Sequence, residues 1–273
     1  MQEDSVRLQK VVSKDGTLIA SWVSGQGPPL VLVHGTGADH SGWKPVLPAL
    51  EKHFTVYAVD RRGRGESGDS SQYRIEREFE DIASVVGSIH EPVNLLGHSY
   101  GALCSLEAAL LTSNVRSLVL YEPPMRAGVE FIPSGIVNKL EALLDAGDRS
   151  GVVTTFMSEI AKVRPDDLRM LQSLPDWKGR VEAAHTIPRE LRADEYYSLD
   201  KDRSRLLSTR TLLLVGGDSS RFLKVASVAV YVALPNSKIV AMPGQQNAAM
   251  DTNAELFVTE VSRFLGRSDI ETQ

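Results

Sequence analysis

The sequence predicts an α/β fold in which a mostly parallel sheet carries helices on both faces. Two observations lead there. Apolar, β-branched runs of strand length alternate with segments of helical period, and Leu30-Val31-Leu32-Val33 is unbroken in the manner of a strand buried on both faces. Residues 93–110 form one apolar stretch interrupted only by Gly97-His98-Ser99-Tyr100-Gly101, so a strand passes directly into a helix. With 273 residues the chain has material for one large domain with an insertion.

In chain order, residues 6–12 and 17–23 are short β-branched runs joined by Lys14-Asp15-Gly16, which reads as a hairpin of antiparallel edge strands. The strand at 30–33 ends in His34-Gly35-Thr36-Gly37, a loop at the carboxyl end of a central strand, where α/β sheets place ligands. Trp43 to His53 has a helical pattern, Phe54 to Val59 is the next strand, and Asp60 to Gly68 is a glycine-rich turn before a helix over 75–90. After the 93–110 stretch, Val115 to Leu120 is a strand ending in Tyr121-Glu122-Pro123-Pro124. The period then changes. Residues 125–205 are helical and charged, broken by Pro133, Pro165, Pro175 and Pro188, and read as an inserted cap. The βα pattern returns with a strand at 211–215, Gly216-Gly217-Asp218, a helix over 221–234, a strand at 238–242, the loop Pro243 to Asn247 and a helix over 253–265. The chain thus divides into 1–124, a first part of the core, the cap 125–205, and 206–273, which completes the core.

Composition narrows the partners. A net charge of −5 offers no basic face for nucleic acid or anionic lipid, and only Arg61, Arg62 and Arg64 cluster. A small uncharged or weakly anionic molecule is the expected partner. The single cysteine, Cys104, lies in an apolar helix and reads as a core residue in a reducing compartment. The N-terminal Met1 to Lys10 is polar, and no apolar run approaches the ~18 residues of a membrane span, so a cytoplasmic protein is expected. The oligomeric state is left open.

The pentapeptide at 97–101 is a GxSxG motif with a strand before it and a helix after it. Its glycines let the turn tighten until Ser99 is pushed into solvent at a helix N-terminus, where N–H groups and the helix dipole favour an oxyanion. Ser99 is the candidate nucleophile. A second glycine pattern, Gly63-Arg64-Gly65-Glu66-Ser67-Gly68, matches GxGxxG, with Glu80 and Asp81 placed as ribose-binding acids. Polar Asp69 to Gln72 separates it from the helix, so no helix N-terminus meets a pyrophosphate, and the dinucleotide reading is set aside.

The hairpin, the HG loop, the Asp60 to Gly68 turn, the elbow at Ser99, the helical insertion, the GGD turn and the final loop resemble, in that order, the α/β-hydrolase superfamily over nearly the whole chain. The resemblance implies an eight-stranded sheet with a cap over its carboxyl ends and chemistry without cofactor or metal. It maps the oxyanion donors to the backbone N–H groups of Thr36 and Tyr100. Gly35, His40 and His98 are the candidates beside the substrate, although strand alternation turns His98 off the elbow. His34 reads better as a structural histidine.

The superfamily takes its general base from a histidine in the loop after the last strand, and here that position reads Gly244-Gln245-Gln246-Asn247. Asparagine has no nitrogen that accepts a proton. In one serine protease, loss of the histidine costs on the order of 10⁶ in turnover. His40 and His185 are the only candidate replacements, since His53 and His90 end surface helices, where a cation suits the dipole. The acid is Asp218 or Glu122, either of which could reach residue 247, and a desolvated carboxylate could itself serve as the base. Three readings follow: a hydrolase of small esters, lactones or thioesters impaired by Asn247, a cofactor-free enzyme of non-hydrolytic chemistry, and a non-catalytic binding protein.

Overall fold

A computed structural model describes residues 6–127, 132–174 and 176–266, with the backbone alone at 194–196. The polar start Met1 to Ser5, the end of the chain from 267, and the break expected at Pro175 lie outside the described residues.

The first half of the chain runs β1 (Arg7–Val12), β2 (Leu18–Ser24), β3 (Pro29–Val33), α1 (Leu47–Leu50), β4 (Thr55–Val59), α2 (Ile75–Gly87), β5 (Val93–His98), α3 (Tyr100–Ala109) and β6 (Val115–Tyr121). Six α-helices follow without a strand among the described residues: α4 (Ile136–Asp145), α5 (Arg149–Thr155), α6 (Pro165–Ser173), α7 (Trp177–Glu182), α8 (Thr186–Tyr196) and α9 (Lys201–Arg205). The sheet resumes with β7 (Arg210–Gly216), α10 (Arg221–Ala233), β8 (Ser237–Met242), α11 (Ala249–Thr252) and α12 (Ala254–Gly266). The eight strands lie in the order β1-β2-β4-β3-β5-β6-β7-β8. β2 is antiparallel to both its neighbours, and every other pairing is parallel.

The unbroken apolar strands are explained by burial on both faces. Along β3, Val31 and Val33 join the cluster that includes Phe79, Leu103 and Val230 of α2, α3 and α10, while Leu30 and Leu32 join Leu50, Phe257 and Val261 on the opposite face. The helix expected over Trp43–His53 is a correction. It is a 3₁₀ turn at His40–Trp43 and then the single α-helical turn α1. Pro45 and Pro48 each lack the N–H that a continuous helix would need there. A third apolar cluster, separate from the two sheet clusters, unites Leu140, Val153, Phe156, Leu171 and Ile187 within the helices between β6 and β7. None of the described helices is long and apolar enough to cross a membrane.

The arginine cluster is buried and neutralised. Arg61 donates to Glu78 of α2 at 2.9 and 3.1 Å and to Glu190 of α8, and Arg64 donates to the same Glu190 oxygen. Arg62 is paired with Asp81 at 2.6 Å and with Asp15 at 3.0 Å. Burial disfavours the charged form of Glu78, but the Arg61 and Arg64 charges prevail and lower its pKa. Glu190 lies at 0 % exposure between two cations, so removing its charge leaves Glu78 alone to balance both in the interior. Glu190→Gln is therefore expected to cost about 3–5 kcal/mol of stability and to lower Tm by roughly 10 °C, readable by thermal or urea unfolding. A change within about 0.5 kcal/mol would show that this ion pair adds nothing.

Candidate active site

The turn between β5 and α3 is fixed by close backbone approach. A Cβ on Gly97 would lie 2.4 Å from the carbonyl of Gly101, and one on Gly101 would lie 2.3 Å from that of Val33. Only glycine fits either place. Ser99 is thereby held at φ 51, ψ −123, a left-handed conformation that a side chain rarely adopts, and its N–H donates to Tyr121 O at 2.8 Å. Glu122, at the end of β6, is likewise at φ 50. Strain of this kind collects where a scaffold over-determines a site.

The loop after β3 presses on this turn, for a Cβ on Gly35 would sit 3.1 Å from the Ser99 Cβ. His34 fixes the loop from beneath. Its Nε2 accepts from Arg61 N at 3.1 Å, so Nδ1 carries the proton and donates to Gly35 O at 2.8 Å. Burial, aided by the Arg61 and Arg64 charges, holds this imidazole neutral. The Arg61 guanidinium also lies 4.7 Å from the centre of the Tyr100 ring, whose hydroxyl is 3.0 Å from that of Tyr73.

Ser99, Gly35, Thr36, His98 and Asn247 share the wall of one cavity of about 130 Å³. Its other walls include Trp43 and, from the helices between β6 and β7, Phe156, Met157, Leu171 and Arg180. The volume is close to the ~150 Å³ of a cavity that admits benzene. Asn247 donates from Nδ2 to Glu122 Oε2 at 2.7 Å, and the other Glu122 oxygen accepts from Gly216 N at 2.8 Å. Glu122 is fully buried and does not itself line the cavity. Burial raises its pKa, against the hydrogen bonds from Asn247 and Gly216.

The other candidates are placed differently. Asp218 is exposed and does not line the cavity, and its backbone N–H donates to Gln245 O at 2.9 Å. His40, expected beside the substrate, is captured by Asp60, whose Oδ1 takes both its N–H and its Nδ1, and its ring stacks on Trp22 at 4.7 Å, outside the cavity. His185 lies 3.6 Å from Asp69, also outside. His98 keeps the alternation of β5 and shares the face of Leu96, but the loop carrying Asn247 covers that face, so the side chain lies against the site. Its Nε2 lies 2.7 Å from Asn247 O, its ring packs between Trp43 and Tyr121, and burial lowers its pKa to about 4. A further positioning residue is Tyr121, which had drawn no attention in the sequence. Its buried hydroxyl donates to Gln246 O and accepts from Ala249 N at 3.1 Å, pinning the loop that carries Asn247. Among the described residues Asp39, His40 and Asp60 are the one group within metal-binding range of one another, and protein donors engage their carboxylates.

A profile of the Alpha/beta hydrolase family matches residues 30–260. The chain is 25% identical over 262 residues to the 2-(acetamidomethylene)succinate hydrolase of Mesorhizobium japonicum, covering 88% of this chain and 89% of that one. It is 27% identical over 257 residues to a pimeloyl-[acyl-carrier protein] methyl ester esterase of Aeromonas hydrophila, covering 89% and 97%. An alpha/beta hydrolase from Sphaerobacter thermophilus superposes with a TM-score of 0.77 at 35% identity, over 91% of this chain and all of that one.

The raised carboxyl of Glu122 gives a pH signature. The folded state binds that proton more tightly than the unfolded state, so the stability it lends is complete below the ordinary carboxyl range and is lost as pH rises through the raised value. Glu122→Gln lacks this titration. The Tm of the unmodified protein minus that of the variant should fall as pH rises above the ordinary carboxyl range. A difference that is flat or grows with pH would mean the carboxylate ionises without penalty.

Proposed function

The chain belongs to the alpha/beta hydrolase family, and from that premise we propose that its cavity takes a small ester, lactone or thioester, with Ser99 as nucleophile and Asn247 in the place of the general base. The backbone N–H groups of Thr36 and Tyr100 are the oxyanion donors in this reading, Glu122 is the acid, and residues 125–205 are the cap. The hydrogen bond from Asn247 Nδ2 to Glu122 carries it. The Nδ2 of asparagine and the Nδ1 of histidine stand equally far along their side chains, so Asn247 makes the bond by which an acid orients an imidazole. What it lacks is the second ring nitrogen that would accept the Ser99 proton.

The roles divide accordingly. Glu122 lies behind Asn247 and off the cavity wall, so it orients residue 247 and does not take a proton from substrate. His98 holds the same loop through Asn247 O, and its depressed pKa keeps it neutral near pH 7. With no proton acceptor, acylation of Ser99 is slow. A methyl ester esterase and a succinate-derivative hydrolase among the relatives support hydrolytic chemistry at this cavity.

Asn247→His is expected to raise hydrolysis of an activated ester by about 10³-fold or more, and Ser99→Ala in that background to abolish it. The unmodified chain should react slowly with a fluorophosphonate, and Asn247→His fast, with the added mass on Ser99 by intact mass spectrometry. If Asn247→His leaves both rates unchanged, the hydrolytic assignment fails and the pocket serves other chemistry or binding alone.

A further inference from the structure

We propose that Arg180 makes an anion subsite in the Ser99 cavity, so that the substrate carries a carboxylate on a short arm from its reacting carbonyl. The inference rests on the acyl-transfer reading for the carbonyl, whereas the anion subsite is argued from Arg180 itself. Other cations near the cavity are committed. Arg164 is bound to Asp167 at 2.6 Å, Lys44 to Asp176 at 2.7 Å, and Arg61 and Arg64 to Glu78 and Glu190. Arg180, by contrast, has no carboxylate oxygen within 4.0 Å among the described residues.

Among the described residues its one side-chain hydrogen bond is Nη1 to Gly37 O at 3.2 Å, across from α7 to the loop after β3. A guanidinium has five N–H donors, so most are unspent. Gly37 follows Thr36, so the charge is held at the edge of the loop proposed to bind the oxyanion. The Arg180 field is felt on both sides of the cavity, at His98 and at Asp251. Asp251 shares the cavity wall, and burial raises its pKa against the Arg180 charge, with no ion pair between the two within 4.0 Å. The walls around Arg180 are largely apolar, with Phe156, Met157 and Leu171. Arg180 is half-buried, so its unspent donors are open to an anion in the cavity, and a carboxylate meets a guanidinium through two parallel hydrogen bonds. Half-esters of short dicarboxylic acids, and lactones bearing a carboxylate, have this form.

The test is calorimetric titration in a Ser99→Ala background, which prevents turnover, with monomethyl succinate and monomethyl glutarate against their dimethyl esters. The half-esters should bind at least about 10-fold tighter than the diesters. Arg180→Gln should erase that preference by weakening the half-esters alone, and Arg180→Lys should keep part of it. Equal affinity for half-ester and diester, no measurable binding of the half-ester, or an equal loss for both ligands in Arg180→Gln overturns the proposal. The last is what a mere strut between α7 and Gly37 would give. Failure of the hydrolytic reading appears separately, as an Asn247→His protein inert toward every ester while half-ester selectivity persists.

Discussion

One guanidinium joins the parts from which the cavity is assembled. Arg61 reaches the loop after β3 through His34, lies over the ring of Tyr100 beside Ser99, and pairs with Glu78 of α2 and Glu190 of α8. Each contact belongs to a different segment, and Glu190 lies 129 residues along the chain from Arg61. Two arginines against two glutamates are neutral in sum, which is what allows four charged groups to remain in the interior. An apolar cluster in that place would hold the segments together, but it would tolerate sliding that a forked, charge-assisted contact does not.

The chemistry-bearing groups inherit their positions from strand ends. β5 and β6 are neighbours, and both finish in left-handed residues, Ser99 and Glu122, tied by the bond from Ser99 N to Tyr121 O. Tyr121 in turn holds the loop after β8, and Asn247 closes the circuit onto Glu122. Three loops are thus set by one register between parallel strands.

Much of the fold was legible because local chemistry dictates it. The buried run at 30–33, the glycine-flanked elbow and the charged helical stretch after Pro124 each follow from sterics or period. The short turn at 43–50 escaped because a helical pattern of apolar residues outweighed the two prolines within it. At the site, what failed was non-local. No periodicity tells that Asp60 captures His40, that His98 swings toward residue 247, or that Asp218 faces water while Glu122 is enclosed. Arg180 left no local sign, since its meaning depends on there being no carboxylate among the described residues close enough to spend it.

The helices between β6 and β7 keep an apolar cluster of their own, and it is this cluster that lends Phe156, Met157 and Leu171 to one side of the cavity, while the sheet supplies Ser99 and Asn247 to the other. Substitutions in this cluster and at the Ser99 turn that share no partner should have nearly additive effects on stability. One wall of the cavity can therefore be reshaped by substitutions within the helical cluster while the glycine-flanked turn that holds Ser99 keeps its own backbone constraints.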